Sequence, residues 1–176
     1  MASNTFVKIA TVTVGSGGAS SIDFTSIPAT YTDLCVKVSV RTDKSGSYSG
    51  AFGMQFNADT GNNYSNRDLY GTGSSAGSAT TSSSAGWFNE GAVDSAGNTA
   101  NVFSVCDIYI PNYTSSNQKS FSSDFASEGN TTAGYPIMTA GIWTGTSAIT
   151  SIKFITDSAY KWVQYSTAVL YGIKNS

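Results

Sequence analysis

The sequence contains no histidine. That removes the usual general base of serine and cysteine nucleophile systems, and with it the commonest transition-metal ligand. Cysteine is nearly as scarce, with Cys35 and Cys106 alone. Two distant thiols build no zinc site, and they read as free cysteines on strands. A bridge between them would need Cα atoms within about 7 Å. Charge is thin as well: Asp, Glu, Lys and Arg make up 11% of the 176 residues, against roughly 25% in ordinary soluble domains. The net charge is −2, and no Lys or Arg occurs between Asp68 and Gln118. A protein that coats DNA or RNA must neutralise several phosphates, and these dispersed cations do not cluster to do so. Anionic membrane surfaces are disfavoured for the same reason. No apolar run approaches the roughly 20 residues that cross a bilayer. The opening Met-Ala-Ser-Asn-Thr-Phe shows no basic segment followed by an apolar run. The expectation is therefore a product made in the cytoplasm without a signal peptide. Nucleic acid, membrane and cofactor are all absent from the expected partners.

What fills the space is Gly, Ser, Thr and Asn, together with ten Tyr, nine Phe and three Trp. Disordered chains are poor in aromatics and rich in net charge, so this one should fold. A single domain over 1–176 can bury about 70% of its unfolded surface. Strand signals dominate. From Ser21, the segment Ser-Ile-Asp-Phe-Thr alternates apolar and polar residues. Leu34, Val36, Val38 and Val40 then face one way, with Asp33, Lys37, Ser39 and Arg41 facing the other. Period-two patterning of β-branched residues marks strands with one packed and one wet face. Pro28 between the two runs removes a ladder donor and holds Ile27 extended, so the chain turns a corner there.

Further strands are expected over Thr5–Val14, Phe52–Phe56, around Phe121 and Phe125, and over Tyr135–Thr144, Ile149–Thr156 and Tyr165–Ile173. Asn101–Ile110 is apolar at nearly every position, the pattern of a strand buried on both faces. The Gly/Ser/Thr-rich stretch near 71–86 reads as a long exposed loop or hairpin tip. No segment sustains 3.6-residue periodicity. The fold class that follows is all-β: an antiparallel β-sandwich, jelly-roll-like, of about 9–11 short strands.

Catalytic chemistry is hard to assemble from this inventory. Glu90 and Glu128 are the only glutamates, and most aspartates sit in turns or on wet faces. Asp107 interrupts an apolar strand, which places it on a face that meets solvent or a subunit boundary. The segments starting at Asp59 and Asp94 superficially resemble calcium loops. Both lack the alternating ligands and the bidentate Glu such a loop requires, and Asx-turns account for them. No metal site is expected. Aromatic residues near loops, namely Tyr64, Tyr70, Trp87, Phe88 and Tyr113, are the candidate interface or ligand-contact residues. Tyr48, Tyr135 and Tyr160 belong to the same group, of which about half should simply cap the core.

The corner Ser26-Ile-Pro-Ala-Thr-Tyr-Thr-Asp-Leu34, its Val-rich strand ending in Arg41, the Asn57…Asn63-Tyr-Ser65 section and the closing Ala168-Val-Leu-Tyr-Gly-Ile-Lys-Asn175 resemble structural proteins of tailed bacteriophages. The resemblance covers the first third and the C-terminal strand. It implies a jelly-roll-like sandwich on the virion, often trimeric, serving as a capsid decoration (cement) protein beside the major capsid protein. A tail fibre or spike module that binds a receptor or carbohydrate is the other role it implies. It carries no catalytic residues.

Overall fold

A computed structural model describes residues 5–45, 50–84, 88–130, 134–157 and 159–174. None of these residues is helical, and twelve strands pack as two antiparallel sheets. They are β1 (Phe6–Thr13), β2 (Ser21–Phe24), β3 (Asp33–Val40), β4 (Gly50–Phe56), β5 (Tyr64–Gly71), β6 (Ala76–Ser84), β7 (Phe88–Val93), β8 (Ser104–Ile110), β9 (Lys119–Glu128), β10 (Gly134–Trp143), β11 (Ile152–Ile155) and β12 (Thr167–Ile173). The eight-stranded sheet runs β1-β12-β3-β8-β9-β10-β5-β6, and the four-stranded sheet runs β2-β11-β4-β7. Except at β5–β6, β8–β9 and β9–β10, every connection crosses from one sheet to the other. That alternation winds the chain around a common core as a jelly roll does.

The corner at Pro28 is one of these crossings. It leads from β2 to β3, and the Pro28 carbonyl accepts a hydrogen bond from the Tyr113 hydroxyl. Leu34, Val36, Val38 and Val40 all face the core, as their spacing requires. Aromatic rings join the sheets. Phe52 of β4 stacks on Phe154 of β11 at 5.4 Å and meets Phe125 of β9 at 5.7 Å and Trp162 at 5.9 Å. Phe56 packs edge-on against Phe121 and Trp143. These are the inner faces of a sandwich, filled by side chains from alternate positions.

Two buried cations brace the loops. The Arg41 guanidinium donates to the carbonyls of Asn98, Thr99 and Val102. The Lys119 ammonium donates to those of Ser115, Asn117 and Thr146. Burial pulls the Lys119 pKa below its ordinary value. Each cation satisfies main-chain acceptors that would otherwise be lost to water.

The middle of the chain departs from the sequence reading. The Gly/Ser/Thr tract is a short turn at Thr72–Ser75 followed by β6, an edge strand. Phe88–Val93 is β7. β8 is not buried on both faces: Ser104, Cys106, Ile108 and Ile110 point inward, while Val105, Asp107 and Tyr109 are exposed.

Candidate functional site

The outward positions of the eight-stranded sheet form continuous rows, because the register is unbroken across its central strands. One row reads Lys37, Asp107, Asp124, Met138, Leu69 and Ser78, crossing β3, β8, β9, β10, β5 and β6. The next reads Cys35, Tyr109, Ser122, Ala140, Arg67 and Thr80. Both rows line one open groove of about 780 Å3. A smaller hollow of about 360 Å3 continues it over Val105, Ala126 and Pro136.

The exposed large apolar residues concentrate here. Leu69 is 63% exposed and Met138 62%, and Val105, Tyr109 and Ile142 are exposed on the same face. Phe6 adds to it at the β1 end, edge-on to Tyr171. Clustered apolar exposure of this kind marks an interaction surface, whereas isolated exposed residues do not.

Charge divides the groove. Asp107 and Asp124 face each other directly across the β8–β9 ladder, an arrangement that is unfavourable for like charges. Lys37 pairs with Asp107. The hydrogen bond to Asp107 is the main cause that raises the Lys37 pKa, so this ammonium stays charged. Cys35 lies beside them, and burial pushes its thiol up, away from the nucleophilic thiolate. The Tyr109 hydroxyl donates to Asp33 at 2.8 Å, a bond that also raises its pKa and fixes the ring over the groove. The arrangement can bind and orient, but no thiolate or imidazole stands ready to attack a substrate.

Three of the candidates named from the sequence, Tyr64, Tyr70 and Tyr113, lie away from the groove. Tyr64 (1% exposed) and Tyr113 (0%) are core residues with no surface to offer a ligand. The Tyr64 hydroxyl donates to the carbonyls of Asp59 and Phe56, and burial drives its pKa up to about 12. Tyr70 faces inward and its ring covers Gly77 across the β5–β6 ladder. Phe88 opens β7 opposite Met54. Trp87 and Tyr48 lie outside the described residues. Tyr64, Tyr70 and Tyr113 do not line the groove, because an aromatic beside a loop can turn either inward or outward and its spacing does not say which.

The sequence carried one signal for this outward face: Asp107, whose side chain is about half exposed.

Both calcium-like loops are saturated by protein donors. Asp59 accepts from Gly61 N at 2.8 Å, Asn63 Nδ2 at 2.8 Å and Trp143 Nε1 at 2.7 Å. Asp94 accepts from Asn98 and Ser104. Among the described residues no three His, Cys, Asp or Glu side chains gather as a metal site. Cys35 faces out and Cys106 in on neighbouring strands, and no disulfide joins them. Compared with known family models, curated proteins and solved structures, the chain matches none.

Proposed function

We propose that the protein is a non-enzymatic structural component of a phage virion, a decoration protein that seats on the outer shell through the outward face of its eight-stranded sheet. The observation that carries this reading is the apolar row of Leu69 and Met138, continued by Val105, Tyr109 and Ile142 on one broad, concave face. Such a face is costly to leave in water and is stabilised by burial against another protein, at about 25 cal/mol per Å2 of apolar surface. The chemical inventory agrees: no histidine, a protonated thiol and carboxylates held by donors. The Gly/Ser/Thr/Asn surface, free of a basic patch, suits the outside of a particle more than contact with packaged DNA.

A tail-tip module that binds carbohydrate is the second reading. Among the described residues Tyr109 is the one aromatic lining the groove that could stack on a sugar, and glycan sites draw on aromatic platforms. Quantifying the protein against the major capsid protein in purified virions separates the two. Decoration predicts a copy number of the same order as the capsid protein. A handful of copies per particle would overturn it in favour of the tail.

A further inference from the structure

We propose that β6 is a seam at which two copies of this chain pair edge to edge, antiparallel about a two-fold axis, so that their eight-stranded sheets become one. β6 ends the sheet, and from Ala76 to Thr81 it runs in unbroken register with Gly71 to Asn66 of β5. On its other side no described strand pairs with it. In an antiparallel ladder alternate residues send both main-chain groups to the same side, so about half of these groups face outward without a ladder partner. An open row of donors and acceptors is a template for another strand.

The other three sheet edges each carry a guard. β1 bears Lys8 and a bulge between Lys8 and Ala10. β2 is four residues long and carries Asp23, which pairs with Lys153 at 3.7 Å. β7 is interrupted where its pairing with β4 shifts register. β6 is nine residues long, with no charge and no proline anywhere in it. Its register shifts only beyond Thr81.

A second copy of the chain is the occupant that best fits this edge. Ala76, Ser78, Ala79 and Thr80 are small, uncharged and exposed. A two-fold axis near Thr80 therefore sets Ser, Thr and Ala opposite Ser, Thr and Ala, with no like-charged pair. Cross-strand Ser and Thr pairs are favourable. The groove ends on β6, at Ser78 and Thr80. Joining two edges there lays two grooves end to end as one trough. A dimer would thus present its docking surface twice, with the gain in avidity that two tethered contacts bring. The inference rests on the edge geometry and holds whether or not the particle reading does.

The test is sedimentation equilibrium of the full chain over a wide concentration range, beside the Ala79→Lys variant, with hydrogen exchange read on both. The wild type is expected to dimerise, with amide protection across 76–81 rising with concentration. Ala79→Lys should be monomeric with an unchanged melting temperature. A wild type that stays monomeric, or a dimer or trimer that Ala79→Lys leaves intact, would overturn the proposal. Should Ala79→Lys fail to fold, the wild-type exchange decides alone, since protection at 76–81 that ignores concentration also overturns it. Particle docking is read separately, through Leu69 and Met138, so failure of the seam leaves that reading standing.

Discussion

Asp59 shows how a single carboxylate organises a loop in a chain with few charges. Burial acts to raise its pKa, but the hydrogen bonds from Trp143, Gly61 and Asn63 outweigh it and hold the group below its ordinary 3.8. A carboxyl whose folded pKa is depressed contributes stability that is fully present above its unfolded value and is lost as the pH falls through the folded one. Asp59→Asn is therefore expected to be less stable than the wild type at neutral pH by about 1 kcal/mol. The gap should narrow as the pH drops below about 4. Urea unfolding midpoints measured from neutral to acid pH check this. Parallel curves for the two proteins would show that the carboxylate is not what holds the loop.

The same residue shows where sequence reading succeeds and where it stops. Asp59 was legible as an Asx-turn, because its Gly61 partner is two residues away. Its bond to Trp143 spans 84 residues, and nothing local announces it. Tyr64 and Tyr113 were misplaced for the same reason. Their hydroxyls reach main-chain carbonyls inside the sandwich, so rings that look like loop aromatics are core.

At the level of strands, β3 and β4 were legible because their large apolar residues recur at every second position, and β12 because it is a run of β-branched, aromatic and aliphatic residues. β6 was not. Gly, Ser, Ala and Thr have no hydrophobic period, and what makes them a strand is pairing with β5, a tertiary fact. Glycine also pairs with aromatics in this sheet. Gly141 of β10 lies opposite Phe121 of β9, whose ring covers it. A Cβ added at Gly141 would come 1.9 Å from Phe121 Cε1. That is too close for any rotamer adjustment of a ring packed edge-on against Phe56. Gly141→Ala is expected to lower stability by about 1–3 kcal/mol through overpacking, read as a fall in the urea midpoint with the slope unchanged. Full wild-type stability would mean that the ring has room to move aside. The outward neighbours of this glycine, Ala140 and Ile142, are free of that constraint because they face the groove and the solvent.

For the whole molecule, the sandwich class and its Pro28 corner could be read from alternation and turn residues, whereas the groove could not. Its rows are assembled from six strands that lie far apart in the sequence, and only the register brings Lys37, Asp107, Asp124, Met138 and Leu69 into line. On the proposed function this outward face is covered by another protein. The most direct test is co-sedimentation of the Leu69→Asp/Met138→Asp double variant with purified shells, run beside a thermal melt. Both side chains are about three-fifths exposed, and exposed substitutions seldom shift stability by more than about 0.5 kcal/mol. The predicted result is a folded protein with an unchanged melting temperature that no longer sediments with the particle. A folded variant that still binds the shell as the wild type does would contradict the account.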